Sequence, residues 1–426
     1  MRFLALAAVA FGLVSASPLG LQVRSGHDDS AGRVVGYWSD WTNDVYPATA
    51  VPWSKLTHVN YAFVVFGEDF QLQTLCGSTF QNPRNCTNGH KLLADLSKEG
   101  HKHGVKVKMS IGGWENSQFF STAVGSPANR TRLTQSIIDW IHRFDLDGLD
   151  IDWEYPGLPG MACNIVSPKD SANLLIYLKE LRSALDMHFG KKGSKNYKTI
   201  SAAVALTPFA DAKGNPLKDV SEYAKYFDWL NLMSYDVNGP WSATAAPNGP
   251  LYNIPGKGAN ASIYTGVMDW HNAGFPKDKI VIGIPWYSHS AIALKTPTTA
   301  NFYVPINGSV IQGDDNDVPV ADNCPGQVAV YSGQWKFKNY FIQGVFKGKD
   351  YLNPHEGWQR HYDTVTQTPW MYKASTHDIN MYDDPVSVRT KTQFNTCGGY
   401  GGTMIWSLDM DYGDLLIDAM VEGMKG

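Results

Sequence analysis

The sequence predicts an α/β protein: a (β/α)8 barrel with an α+β subdomain inserted between strands seven and eight. Three observations support this prediction. Eight short apolar runs along the chain have the composition of buried strands. Segments with helical spacing lie between many of them, and this alternation is typical of parallel β/α units. The last two strand segments are separated by far more chain than a single crossover requires.

The predicted strands follow one another along the chain after residue 32. They cover residues 33–38, 56–63, 105–113, 147–154, 199–206, 229–234, 279–285 and 402–406. In a (β/α)8 barrel the functional site lies at the carboxyl ends of the strands. Asp152, Glu154, Tyr235 and Trp406 all fall at predicted strand ends. Residues of interest for their chemistry are therefore expected at one end of the barrel.

Several helices have distinct signals at their ends. Gly104 ends the first of them, in which leucines recur at helical spacing. Ser126 precedes Pro127, and proline is favoured at the first position of a helix. A capping pattern begins at Ser167. The predicted helices cover residues 90–103, 127–144, 167–189 and 414–422.

The domain boundaries follow from these elements. The barrel is expected to comprise residues 33–286 and 381–426, and residues 17–32 form a polar leader without periodicity. Residues 287–380 are rich in aromatic residues, proline and glycine, with several short β-like runs. We expect this insertion to form one wall of a cleft.

The first residues predict a secretory signal peptide, residues 1–16. Arg2 supplies the positive charge, residues 3–13 form a short apolar stretch, and residues 14–16 are small enough for cleavage. The apolar stretch is too short to span a bilayer, and no later stretch is long and apolar enough. We therefore expect a secreted, extracellular protein with no membrane partner.

Composition narrows the class of partner. Hydrophobic residues make up 43% of the chain and charged residues 18%, so a large core is expected. A net charge of −4 argues against nucleic acid, which would favour a basic surface. The 14 Trp and 21 Tyr residues suit stacking against sugar rings as well as core packing. No pattern predicts a metal site or a cofactor, and we expect a monomer.

Five cysteines in an oxidising compartment predict disulfides, with one thiol left free or intermolecular. Cys76 and Cys86 are the favoured pair, because they are close in sequence and flank a polar loop. Four Asn-x-Ser/Thr sequons predict glycosylation at surface positions. They begin at Asn85, Asn129, Asn260 and Asn307.

The most informative stretch is Asp147-Gly-Leu-Asp150-Ile-Asp152-Trp-Glu154. Strict alternation predicts a strand with Asp150, Asp152 and Glu154 on one face. Such neighbours lie about 6.5–7 Å apart, so like charges compete and at least one pKa rises. A glutamic acid that stays protonated near neutral pH is a general acid.

Two other interpretations of this stretch are a solvated acidic strand and a cation site. A solvated strand would not normally carry leucine, isoleucine and tryptophan on its opposite face. A calcium site would be accompanied by a loop with calcium-ligand spacing, and none follows the motif. The alternation therefore favours a catalytic row of carboxyl groups.

The stretch resembles the D-x-x-D-x-D-x-E signature of the family-18 glycoside hydrolases, the chitinase family. Three further segments are similar to motifs of that family. They are Ser110-Ile-Gly-Gly113, Met233-Ser-Tyr-Asp236 and Tyr382-Asp-Asp-Pro385. The resemblance implies a TIM barrel, and many chitinases of the family carry an insertion at the same point.

The resemblance also implies roles for individual residues. Glu154 would be the general acid and base, and Asp152 would orient the acetamide group of the sugar. Asp150 would tune Asp152 by sharing a proton, and Tyr235 would hold the acetamide oxygen. The expected substrate-binding residues are Tyr37, Phe63, Trp114, Met233, Asp236, Trp286 and Trp406.

Some of these binding residues have a second interpretation as core residues. An aromatic residue at the positions of Tyr37, Phe63 and Trp286 is at least as often a packed core residue as a wall of a binding site. The exit of strand seven also departs from the family pattern, because His289 lies near the position where an arginine often occurs.

The sequence therefore predicts a chitinase that hydrolyses β-1,4-linked N-acetylglucosamine polymers, with chitin or chito-oligosaccharides as partner. Family 18 uses a retaining mechanism in which the substrate's own acetamide assists. Two alternatives are an endo-β-N-acetylglucosaminidase acting on N-glycans and a non-catalytic chitin-binding lectin. Lectins on this barrel typically lack the terminal glutamate, which is present here as Glu154.

Overall fold

Eight parallel strands close into a barrel in the computed structural model, which describes residues 32–75, 88–322 and 324–425. The strands of this sheet are β1 (Arg33–Ser39), β2 (His58–Phe66), β3 (Leu72–Thr74), β4 (Lys106–Gly112), β5 (Gly148–Asp152), β6 (Thr199–Val204), β7 (Trp229–Leu232), β8 (Ile280–Pro285) and β14 (Gly402–Trp406). Because β1 pairs with both β2 and β14, the parallel strands have no free edge. The short strand β3 adds to β2 in antiparallel orientation. The predicted (β/α)8 barrel is confirmed.

Except for the helix at Phe337–Ile342, which lies within the predicted insertion, the helices pack around the outside of the barrel and bury their apolar sides against the strands and against one another. They are α1 (Gly89–Lys102), α2 (Phe120–Gly125), α3 (Pro127–Phe144), α4 (Asp170–Phe189), α5 (Ile263–Asn272), α6 (Phe337–Ile342), α7 (Pro385–Gly398) and α8 (Leu415–Gly423). The alternation is incomplete in the described residues, since only 3-10 turns lie between β1 and β2 and between β6 and β7.

The helix starts show how local sequence determines these elements. Ser126 caps α3 as predicted, because its hydroxyl accepts a hydrogen bond from the Asn129 N–H. The start of α4 differs from the prediction. This helix begins at Asp170, whose carboxylate accepts hydrogen bonds from the N–H groups of Ser167 and Gly157. The acidic residue thus organises the preceding loop, and the helix begins three residues later than predicted.

The chain between β8 and β14 forms a second sheet of five antiparallel strands in the order β10-β9-β13-β12-β11. These strands are β9 (Tyr287–Ile292), β10 (Gln334–Lys336), β11 (Trp358–Asp363), β12 (Thr368–Lys373) and β13 (Asp378–Met381). A separate apolar cluster that includes Phe302, Trp370 and Ile379 packs on this sheet. The boundaries of the inserted subdomain, 287–380, remain predictions.

A disulfide joins Cys163, in the loop after β5, to Cys324, in the loop between β9 and β10. No local pattern predicts this pair, because the two cysteines have a sequence separation of 161. The favoured pair Cys76–Cys86 lies outside the described residues. Cys397 is a free, exposed thiol.

The predicted signal peptide and residues 17–31 of the leader also lie outside the described residues. No helix in the described ranges is both long enough and apolar enough to cross a membrane. Of the predicted glycosylation sites, Asn260 and Asn307 are exposed and Asn129 is half-buried, whereas Asn85 is not described. Glycosylation at these positions remains a prediction.

We predict that replacing both cysteines of this disulfide, by Cys163→Ser with Cys324→Ser, lowers the free energy of unfolding by about 2–5 kcal/mol. The physical reason is that the open chain gains conformational freedom when unfolded. Urea denaturation measures the effect, and Cys397→Ser serves as the matched control. A double variant as stable as the control would contradict the prediction.

Candidate active site

The alternation predicted for the acidic strand is present in β5 and the residues after it. Leu149, Ile151 and Trp153 point outward and belong to the hydrophobic core between barrel and helices. Asp150 and Asp152 are buried on the other face, inside the barrel, and Glu154 follows at its mouth with 8% of its surface exposed. The three carboxyl groups thus form a row that rises along one strand.

Asp147 lies outside this row, at the start of the strand. Burial alone would raise the pKa of Asp147, but hydrogen bonds from His101, Lys106 and the Val107 N–H lower it to about 2. This residue connects β5 to β4 and α1 at the opposite end of the barrel. Its role is therefore structural.

Asp150 accepts four hydrogen bonds and is fully buried. Tyr37 and Ser110 donate to its Oδ2 at 2.7 and 2.8 Å. The Ser201 hydroxyl and Asn231 Nδ2 donate to its Oδ1, the latter at 3.0 Å. Strand register explains the serines, since Asp150 is level with Ser110 of β4 and with Ser201 of β6. Four donors on two oxygens fit an ionised carboxylate.

The orientation of the Asn231 amide is determined by its other neighbour. Trp229 Nε1 can only donate, and it donates to Asn231 Oδ1 at 3.0 Å. Asn231 Nδ2 must therefore face Asp150. A tryptophan deep in the barrel thus fixes one of the four donors on the carboxylate.

Asp152 and Glu154, the two carboxyl groups nearest the barrel mouth, have pKa values above those of carboxyl groups in water. Burial raises the pKa of Asp152 well above its ordinary value, and the charges of Glu154 and Asp150 raise it further. Asp152 Oδ1 is buried without a hydrogen-bond partner. Burial also raises the pKa of Glu154 to about 7; the hydrogen bond with Tyr155 opposes this shift, and the charge of Asp236 adds to it. Glu154 can therefore hold a proton close to neutral pH.

The backbone of Glu154 is held from two sides. Its N–H donates to Ser117 Oγ at 2.9 Å, and its carbonyl oxygen accepts from Asn164 Nδ2 at 2.9 Å.

Close packing at the end of β4 explains the two glycines of the Ser110–Gly113 motif. A Cβ atom at Gly112, where φ is +111°, would lie 2.3 Å from the Asp152 carbonyl oxygen. A side chain there would displace the carboxylate row.

Aromatic rings surround the row at the barrel mouth. Trp406 stacks on Phe63 at 5.6 Å between ring centroids and meets the edge of Tyr37 at 5.5 Å. Trp41 extends this group, with its centroid 6.1 Å from that of Phe63, and is 45% exposed. Three of the predicted binding residues, Tyr37, Phe63 and Trp406, are thus brought together, and the fourth ring of this group, Trp41, was not predicted.

The motif at the end of β7 contributes polar groups. Tyr235 and Met233 are half-buried and pack against the same buried cluster as Trp406 does. Asp236 has a left-handed backbone with φ of 56°, and its Oδ1 lies 2.6 Å from both the Tyr287 hydroxyl and His289 Nε2. His289, where the sequence departs from the family pattern, therefore contacts a predicted binding residue directly.

Two predicted binding residues are placed differently. Trp286 is 1% exposed and belongs to the hydrophobic core, so its ring is not part of an open surface. This is the packing alternative, and its cause is the position of Trp286 directly after β8, where its N–H donates to the Trp406 carbonyl oxygen. Trp114 is 43% exposed on the loop after β4.

We predict that Tyr37→Phe lowers the free energy of unfolding by about 1.5–3 kcal/mol, because it removes a hydrogen bond to a charged, buried group. Chemical denaturation at pH 7 measures the loss. Tyr226→Phe, at a half-buried tyrosine outside the network, is the control and should change stability by less than about 0.5 kcal/mol. Equal losses in the two variants would contradict the four-donor description of Asp150.

Comparison with known proteins is consistent with this geometry. A "chitinase-like effector" of Moniliophthora roreri is 35% identical over 407 residues, covering 92% of this chain and 94% of the relative. "Chitinase 1" of Aphanocladium album is 28% identical and covers 91% of this chain and 83% of the relative.

The solved structures include a close fold neighbour. The crystal structure of a chitinase from Rhizomucor miehei superimposes with a TM-score of 0.81 at 32% identity, covering 92% of this chain and all of that one. The family model described as "Glycosyl hydrolases family 18" matches residues 33–411, which include both sheets and the complete carboxylate row. The chain belongs to glycosyl hydrolase family 18.

Proposed function

We propose that this protein is a chitinase that hydrolyses β-1,4-linked N-acetylglucosamine polymers with retention of configuration. The observation that carries the proposal is the row of Asp150, Asp152 and Glu154, which ends in a carboxyl group whose pKa burial raises to about 7. Such a group can donate a proton to a leaving oxygen near neutral pH. Family membership and the chitinase relatives support the same reaction.

In the proposed first step, Glu154 donates its proton to the glycosidic oxygen while the bond from that oxygen to the anomeric carbon breaks. The carbonyl oxygen of the substrate's own 2-acetamido group attacks the anomeric carbon and forms a positively charged oxazolinium ring. Asp152 accepts a hydrogen bond from the acetamide N–H and stabilises this charge. Tyr235 donates to the acetamide oxygen and holds it in line.

In the second step, Glu154 is a carboxylate and takes a proton from a water molecule. The water oxygen bonds to the anomeric carbon, the ring oxygen of the oxazolinium leaves, and the acetamide is restored. Because the anomeric carbon is attacked twice from opposite sides, its configuration is retained. Neighbours on one strand could not flank the bond from both sides, so the substrate's acetamide replaces a second carboxylate.

The rings of Trp41, Phe63 and Trp406 are proposed to bind the sugar rings, whereas Tyr37, which is 1% exposed, packs beneath Trp406 and supports it. Aromatic faces stack against the apolar faces of sugars, and half-buried rings offer such faces without large rearrangement. Asp236 and Met233 are proposed to line the same subsite. Trp114, exposed on the loop after β4, would bind a more distant sugar of the same polymer.

Secretion is part of the proposal. The signal-peptide pattern of residues 1–16 supports it. The Cys163–Cys324 disulfide is independent support, because disulfides persist mainly in oxidising compartments.

A second candidate function is chitin binding without turnover. The relative from Moniliophthora roreri, named a chitinase-like effector, is the observation that favours it. The presence of Glu154, with a pKa suited to proton donation, favours the enzyme. An endo-β-N-acetylglucosaminidase acting on N-glycans is an alternative within the same chemistry. Release of a chromophore from a chitobiose glycoside identifies an enzyme, and a high-mannose glycoprotein assay tests the N-glycan alternative.

We predict that Glu154→Gln lowers kcat on chitin hexamer by about 10²- to 10⁴-fold, because the amide cannot donate the proton that the leaving oxygen needs. Binding of the hexamer should persist, since the amide preserves shape. Time-resolved product analysis measures turnover, and calorimetry measures binding. Glu222→Gln, at an exposed glutamate, is the isosteric control. Near-normal turnover by Glu154→Gln would remove Glu154 from the mechanism.

The pH dependence gives a second prediction. Glu154 must be protonated to act as acid, so kcat/KM should fall as pH rises through about 7, the pKa to which burial raises it. Above that value the fall approaches about tenfold per pH unit. Circular dichroism over the same range controls for unfolding. A profile that stays flat to pH 9 would exclude Glu154 as the group that titrates.

A further inference from the structure

The interior of the barrel below the carboxylate row contains a buried cation, Lys108. This residue is on β4, two positions before Ser110, and none of its surface is exposed. Its ammonium group lies 3.9 Å from the centroid of the Trp229 ring. The ammonium donates a hydrogen bond to the hydroxyl of Ser201 on β6.

The partner of this cation is a hydroxyl group, which is unusual for a buried charge. A second buried lysine, Lys391, contacts the carboxylate of Asp383 directly. Lys108 instead reaches its most influential negative charge, Asp150, through Ser201. The Ser201 hydroxyl therefore links the cation to the carboxylate. A direct ion pair between Lys108 and Asp150 would not require this link.

The direction of both hydrogen bonds is determined by the chemistry of the ammonium group. It has only donors, so Ser201 Oγ accepts from Lys108 and its own proton must point elsewhere. That proton is donated to Asp150 Oδ1. The three groups form a one-way chain from a cation to a carboxylate, which favours the ionised form of Asp150.

Other charged groups face Lys108 from the surrounding strands, and none of them replaces this link. Burial lowers the pKa of Lys108 to about 8, and Asp150 exerts the largest opposing effect, so the cation is retained in neutral and acidic solution. The remaining groups around it are Arg33 on β1, His58 on β2, Asp147 before β5 and Asp228 before β7.

We infer that Lys108 and Ser201 are positioning residues that keep Asp150 ionised, so that the mobile proton of the row stays on Asp152 and Glu154. Neither residue touches the sugar. Their effect reaches the reaction through Asp150, which lies directly below Asp152 on the same strand face. The kinetic part of this inference rests on the proposed function, and its structural part does not.

We predict that Lys108→Met shifts the acidic limb of the kcat/KM profile to higher pH by about one pH unit or more, because Asp150 then takes up a proton more readily. The alkaline limb, set by Glu154 at the far end of the row, should move less. Lys106→Met is the matched control: it lies on the same strand and removes the same charge, but from an exposed position. Its acidic limb should match wild type.

Two further variants keep the inference testable if Lys108→Met does not fold. Ser201→Ala preserves the cation and removes the link, and should shift the acidic limb in the same direction by a smaller amount. Ser201→Thr retains a hydroxyl and should restore the wild-type limb. If Ser201→Ala and Ser201→Thr give the same limb as wild type, the link between Lys108 and Asp150 has no effect on the row and the inference is overturned.

A readout without turnover separates this inference from the proposed function. Wild-type protein without activity on chitin oligomers would contradict the proposed function alone. The titration of Asp150 can then be followed by carboxyl NMR of ¹³C-labelled aspartate, with Asp150→Asn to assign the signal. The signal should titrate at higher pH in Lys108→Met than in Lys106→Met. Identical titration in the two variants would overturn the inference.

Discussion

The four hydrogen bonds to Asp150 are the interaction on which the rest of the site depends. They come from four different strands, since Tyr37 is on β1, Ser110 on β4, Ser201 on β6 and Asn231 on β7. A closed barrel is what brings these strands around one point. A carboxylate with four donors fits the ionised form, and its charge then raises the pKa of Asp152 above it. The fold thereby determines which members of the row carry protons.

Burial and charge act in the same direction on the upper part of the row. Asp152 and Glu154 are each removed from water by the barrel wall, and each has an acidic neighbour. The cost of burying these groups is reduced when they are neutral. Burial therefore favours the neutral forms of Asp152 and Glu154 in the free protein, and the proposed acid–base chemistry of Glu154 uses its neutral form directly.

The sequence predicted the barrel, the carboxylate row and the motifs at the ends of β4 and β7 because each depends on local alternation or on contiguous residues. Leu149, Ile151 and Trp153 face the helices as the period-two pattern requires. None of the four donors on Asp150 was predicted in that role, since register between strands decides them; Ser110 was identified only as part of its motif and Tyr37 only as a candidate binding residue. Asn231 could have been found two positions before Met233 on the same strand face. Trp41, His289 as a partner of Asp236, and the Cys163–Cys324 pair depend on how distant loops meet, which no local pattern encodes.

The most direct test of the central claim is a neutron crystal structure of the protein without ligand at about pD 6. Deuterons on Asp152 and Glu154, with none on Asp150 and with the Ser201 deuteron directed to Asp150 Oδ1, are the expected result. A deuteron on Asp150 beside an ionised Asp152 would contradict the account, because the four donors would then not hold the charge at the base of the row.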